Sequence, residues 1–385
     1  MMFRVFWAFF RREFTYIWRD RGLRIVLFLM PLLSVALFGL TYQEQVLTDI
    51  PTAIVDLDRS VQSRELIADL EQAQNLKVEA YFKDYEELRK SLEKGESVVG
   101  VVIPEEYSRC QELRRPTRVA MIIDGSNMVY GINSSVAVLQ VTRTIEAKSG
   151  VKVLLARGEQ MQDATNALLS INYVDEPWFN PAINYAFFLV LGLVLNIWQQ
   201  CCTLLSAMTI IGETGTRSWV HLKSSRLSLL GVFVSKTMAH LIIFMGSVAV
   251  LYGLCFEVLH LPLRCDFGEL MLFTLGFAIA LHSLGTLISS VARTAADASR
   301  IVMAVAVPAF VLSGFTWPLE AMPQVLAAIV KWLPQTGFFQ GVIFLTMKNA
   351  GWAYMSQYYV QFLIFAIITY ALSMVLFRLV PQKTR

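Results

Sequence analysis

The stretch AINYAFFLVLGLVLNIWQQCCTLLSAMTII, Ala182 to Ile211, decides the fold of this 385-residue chain. It is uninterrupted by charge and exceeds the roughly 20 helical residues that cross a bilayer. Upstream of it, Thr41 to Pro181 holds 15 of the 33 Lys/Arg and 22 of the 30 Asp/Glu, a net charge of −7. A second apolar run, IVLFLMPLLSVALFGL (Ile25–Leu40), precedes that polar interval. An acidic insert between two membrane-length runs reads as a domain displayed by a membrane protein.

The remainder agrees. Hydrophobic residues make up 55% of the chain, concentrated in runs that predict six spans: Ile25–Tyr42, Ile183–Met208, Leu227–Leu254, Leu270–Val291, Ile301–Trp317 and Tyr358–Phe377. Val325–Leu333 is too short to span and lies between Pro323 and Pro334. With Gly337–Thr346 it reads as an outward re-entrant helix pair, whose irregular backbone must be buried in protein. Before the first span, Arg4, Arg11, Arg12, Thr15 and Arg19 recur at helical spacing among Phe6, Phe9, Phe10, Phe14, Ile17 and Trp18. That is the pattern of an amphipathic helix at the cytoplasmic interface, residues 1–24, rather than of a cleaved leader.

Basic residues orient the spans. Six arginines precede the first; Arg217, Lys223 and Arg226 follow the second, Arg293 and Arg300 the fourth, and Arg378, Lys383 and Arg385 the last. The opposite connections carry Arg264, Lys331 and Lys348. The positive-inside rule then puts both termini of a multi-pass membrane protein in the cytoplasm and the insert, residues 43–181, outside.

The insert reads as mixed α/β. TAIVDLD (Thr52–Asp58), KVEAYF, SVVGVVIPEEY and TRVAMIIDGS read as strands. SRELIADLEQA, capped by Ser63 or Ser60, and DYEELRKSLEKG, capped by Asp84 and ended by Gly95, read as helices. The order suggests a small mixed sheet with helices over one face, then a long helix from Tyr130 to about Leu169.

Catalytic signals are decoys. Ser91-x-x-Lys94 imitates a nucleophile pair but sits in a charged helix before its terminating glycine. Asp56, Asp58 and Asp124 are acidic strand ends and turns rather than metal ligands. Five scattered cysteines form no framework, and GVFVSKT lacks P-loop glycine spacing. The polar region is acidic, which excludes a nucleic-acid surface. His240 and His282, inside spans, read as packed or hydrogen-bonded groups before they read as a transport path. Asn196, Gln199 and Gln200 read as amides lining a cavity or a protein interface.

Four motifs resemble the permease subunits of ABC-2 type exporters, in the branch with a large periplasmic domain: REFTYIWRDRGLRIVLFLMPLL; the insert with AIVDLDRSVQSRELIADLE, LEKGESVVGVVIPEEYSR and VAMIIDGSN; GETGTRSWVHLKSSRLSLLGVFVSKT; and SGFTWPLEAMPQVLAAIVKWLPQTGFFQGV. The resemblance implies a subunit without its own ATPase site or cofactor, with ATP and Mg held by a cytoplasmic ABC ATPase dimer. It implies a second permease chain, identical or related, and it makes a periplasmic membrane-fusion adaptor a candidate partner. It implies a coupling helix at about 212–226, with Glu213, Gly215, Arg217, Trp219, Leu222, Lys223 and Arg226. It also places an outer gate in the re-entrant region, about 319–346, at Trp317, Pro318, Glu320, Pro323 and Pro334. Amphipathic or hydrophobic cargo follows from the resemblance. The rival reading is a membrane anchor whose outer domain recruits envelope proteins.

Overall fold

The computed structural model describes residues 2–43, 48–73, 75–113, 115–155, 158, 178–181, 184–215 and 229–379. The chain divides into two units, Met1–Gln45 with Pro177–Arg385, and Val46–Glu176.

The first unit opens with α1, Met2–Arg19. Asp20 breaks it: its backbone is extended and its carboxylate accepts the Leu23 N–H at 2.9 Å, which starts the next helix. This α2, Arg21–Thr41, passes through a π-helical turn at Ile25–Leu29. Pro31 follows two residues later. Its ring and missing N–H disturb the ladder at the carbonyl four residues back, and the wider turn takes up that displacement.

In the second unit, β1 (Ile50–Asp56), α3 (Val61–Glu71), β2 (Leu76–Phe82), α4 (Tyr85–Lys94), β3 (Val99–Ile103), α5 (Tyr107–Glu112), β4 (Ala120–Ile123) and α6 (Met128–Leu155) follow in order. The sheet runs β2-β1-β3-β4, parallel except for β4. The helix caps follow the side chains. Ser60, not Ser63, caps α3, Asp84 caps α4, and Gly95 ends α4 at φ +72°. The expectation of helices over one face fails. Leu66 and Leu70 of α3 and Ala137 of α6 pack with Ile50 and Ile54 on one face, while Leu88 of α4 packs with Ala53 and Val55 on the other. Right-handed crossovers require it: the chain moves from β1 to β2 in one direction and from β2 back past β1 to β3 in the other, so successive helices fall on opposite faces. The strand expected to run through Tyr107 stops at Ile103, and Tyr107 opens α5. Pro104, which has no N–H to donate to the ladder, lies between them.

The first unit resumes with α7 (Tyr185–Gly215), α8 (Leu229–Gly253, extended to Val258 by a π turn) and α9 (Phe267–Val291). Then come α10 (Ala295–Val311), a 3-10 turn at Leu319–Ala321, α11 (Gln324–Val330), α12 (Pro334–Lys348) and α13 (Trp352–Leu379). Five of the described helical segments, in α2, α7, α8, α9 and α13, are long and apolar enough to cross a membrane. The chain is thus a polytopic α-helical membrane protein carrying a mixed α/β region. The segment expected at Ile301–Trp317 forms a helix shifted toward its N-terminus, capped by Thr294 and ended at Val311, before Gly314 turns the chain at φ +83°.

The membrane core is aromatic. Phe277 and Phe338 stack with ring centroids 3.9 Å apart, and Trp198, Phe273 and Phe362 surround them. Phe338 and Phe339 are fully buried, so α12 sits inside the bundle while α11 stays at its surface. A Cβ on Gly285 of α9 would collide with Ser206 and with the Thr203 carbonyl of α7, so the close packing of these two helices there rests on that missing side chain.

Candidate functional site

The first helix supplies the group around which a buried polar chain is built. Phe9, Glu13 and Ile17 lie four residues apart on one face of α1 and are all buried, at 8%, 5% and 1% exposure. A carboxylate among apolar residues must be paired to stay charged. Lys236 of α8 supplies the pair: its Nζ stands 2.8 Å from Glu13 Oε1 and also donates to the Thr209 carbonyl of α7 at 2.9 Å. Burial raises the Glu13 pKa, but the His240 imidazole and the Lys236 ammonium more than reverse this and hold it well below the ordinary value of 4.5.

One turn along α8, His240 Nε2 approaches Glu13 Oε2 at 3.6 Å, longer than a hydrogen bond. Its Nδ1 lies 3.0 Å from His282 Nε2 on α9, and His282 Nδ1 lies 2.9 Å from the Tyr370 hydroxyl on α13. The tautomers follow from the end group. A carboxylate only accepts, so the proton on the His240 ring belongs at Nε2, facing Glu13. His240 Nδ1 then accepts from His282 Nε2–H, and His282 Nδ1 accepts from the Tyr370 O–H. In that arrangement the donors all point toward Glu13.

These contacts tie α1, α7, α8, α9 and α13 together beside the end of α7. Thr209 lies four residues before Glu213, and the next residues of α7 are held as well: Ser289 Oγ of α9 accepts from the N–H groups of Ile210 and Ile211 at 3.0 and 3.1 Å. The expected coupling residues fall differently. Glu213 and Gly215 lie in the last turn of α7, whereas Arg217, Trp219, Leu222, Lys223 and Arg226 lie outside the described residues.

The expected gate residues organise short elements. Pro318 precedes the 3-10 turn, Pro323 caps α11, and Pro334 opens α12. Glu320 and the 53% exposed Trp317 lie at the surface. A cavity of about 720 Å³ is lined by Glu320, Gln324, Lys331, Trp332 and Gln361 among others. The three amides do gather: Gln199 and Gln200 both donate to Asn196 Oδ1 at 3.1 Å. Gln199 is fully buried within the chain, while Asn196 and Gln200 are half-buried.

The family profile described as "ABC-2 family transporter protein" matches residues 21–375. The chain belongs to the ABC-2 transporter family. It is therefore a permease subunit of an ABC-type transporter, and the family implies partner ATPase and permease chains. Among its relatives in Escherichia coli (strain K12), "Probable multidrug ABC transporter permease YbhR" is 23% identical over 84% of both chains. "Inner membrane transport permease YhhJ" is 23% identical over 78% of both. "Probable multidrug ABC transporter permease YbhS" is 26% identical over 42% of this chain and 43% of its own. In this ABC-2 permease, reading the sequence singled out His240 and His282 only as packed or hydrogen-bonded groups inside spans, and it brought neither Lys236 nor Glu13 nor Tyr370 to the site. Glu13 had a signal: it is the single acid of α1, on the same stripe as Phe9 and Ile17.

Proposed function

We propose that this permease is the membrane half of an exporter for amphipathic or hydrophobic compounds, the class suggested by the multidrug names of its relatives. α10, at 17 residues, supplies a sixth span; at 1.5 Å per residue it covers about 26 Å, close to the hydrocarbon thickness. Both termini then lie in the cytoplasm of a bacterial inner membrane, the α/β unit lies outside it, and residues 212–226 dock the ATPase dimer. The observation that carries this reading is the Lys236 bridge. One ammonium binds the interfacial helix through Glu13 and the end of α7 through Thr209, so movement of the inward turn pulls on α1, α7 and α8 together. Glu320 and the prolines around it form the outward gate, and the Asn196 amide cluster faces the partner permease.

The test uses the permease reconstituted with its ATPase. Glu213→Ala, and separately Trp219→Ala with Leu222→Ala, should weaken ATPase association and cut ATP-dependent uptake of a fluorescent amphipath into inverted vesicles. Unchanged association and uptake in both would refute the coupling role.

A further inference from the structure

The exposed side of α6 carries a pattern that the described residues of its own unit do not cover. Val129, Ile132, Val136 and Leu139 are 38–51% exposed, at successive steps of three, four and three residues. That is a strict a-d-a-d heptad seam, with Val at both a positions and Ile or Leu at d. The opposite side of the helix is already occupied: Tyr130, Ala137, Val138, Val141 and Ile145 pack into the core against β1 and β3. The flanking e and g positions, Asn133, Ser135, Gln140 and Thr142, are polar and uncharged, so nothing repels an identical helix. Arg143 takes the next a position and ends the apolar run.

The geometry points to a second copy of this chain as the occupant: two α6 helices pair in parallel and in register, joining the α/β units of two permeases. β-branched Val at a with Leu at d, as at Val136 and Leu139, favours two parallel strands, and a two-fold axis along the seam sets each residue opposite itself. About 15 Å of seam is too short to associate alone. Two copies held in one transporter meet at an effective concentration in the millimolar range, which offsets that deficit. The inference rests on the two-permease assembly and assigns the α/β unit a dimerising task within it.

Single cysteines at Ile132, Val136, Leu139 and, on the exposed flank, Thr144, placed in a Cys110→Ser chain, are oxidised in native membranes with the ATPase present. The chain without an added cysteine is the blank. A disulfide needs Cα atoms within about 7 Å. Same-residue dimers at 132, 136 and 139, on the order of ten-fold above those at 144, are expected. Adding Val136→Asp should abolish the dimer formed through Leu139→Cys. Equal yield at 144, persistence with Val136→Asp, or capture of a different protein at 136 overturns the seam. If two differently tagged copies co-purify yet none of the three positions cross-links, the seam fails and the two-permease assembly stands. If the tagged copies do not co-purify, the partner permease is not a second copy of this chain and the seam fails, while an assembly with a related permease stands.

Discussion

Replacing Glu13 with Gln should destabilise the permease far more than replacing both members of its ion pair. At an effective dielectric constant of about 20, unit charges 2.8 Å apart attract by roughly 6 kcal/mol. Removing both from water costs several kcal/mol per ion, so the pair is nearly neutral overall. Glu13→Gln keeps the shape but removes the carboxylate charge 2.8 Å from the Lys236 ammonium, which is 4% exposed. Breaking a buried pair from one side costs about 3–5 kcal/mol. Lys236→Met should cost less, because His240 Nε2 remains 3.6 Å from Glu13 Oε2. The double variant Glu13→Gln/Lys236→Met removes both charges and should lie within about 2 kcal/mol of the parent. Trp198, fully buried in the bundle, reports unfolding of the detergent-purified chain by its fluorescence. The Glu13→Gln midpoint should fall by something of order 10 °C. A double variant as unstable as the sum of the singles would refute the pairing, as would a Glu13→Gln loss under about 1 kcal/mol.

Two further outcomes follow from the same unit. Because the Glu13 pKa is depressed in the folded chain, the pair's contribution is fully present above the ordinary carboxylate value. It is lost only as pH falls through the lower folded value, so the stability gap between parent and double variant should stay flat from pH 8 to 5 and narrow in stronger acid. A gap that closes near pH 6.5 would assign the linkage to the histidines instead. Gly285→Leu should abolish the monodisperse folded fraction on size exclusion, because the new side chain meets α7 backbone, whereas Gly246→Leu, with nothing within 4 Å, should leave it intact.

The membrane helices were legible because lipid admits few backbone solutions: apolar length alone located the cores of α2, α7, α8, α9 and α13. The cap residues Asp84 and Gly95 were legible because their chemistry is local. Where sequence reading failed, a non-local rule had decided. The two-sided packing of the α/β unit depends on strand order, and strand order depends on pairings between segments that no periodicity reports. Val55 and Ile54 alternate in the sequence as any buried strand does. Only the position of β3 beside β1 tells that both of their faces are covered.

The polar chain shows the same limit in chemical form. His240 and His282 stand 42 residues apart and His282 and Tyr370 stand 88 apart, so their spacing carries no motif, and each alone resembles a packed polar residue. What makes them one structure is an acceptor from a helix that reads as a surface element. Basic residues and aromatics dominate α1 and suggest a membrane-interface helix, whose acid should face water. The stripe of Phe9, Glu13 and Ile17 says otherwise, because a helix cannot bury positions i and i+8 without burying i+4. Once Glu13 is inside, the buried Lys236 ammonium 2.8 Å away is its partner. Thr209 is then held by the same ammonium, which ties the first helix to the end of α7.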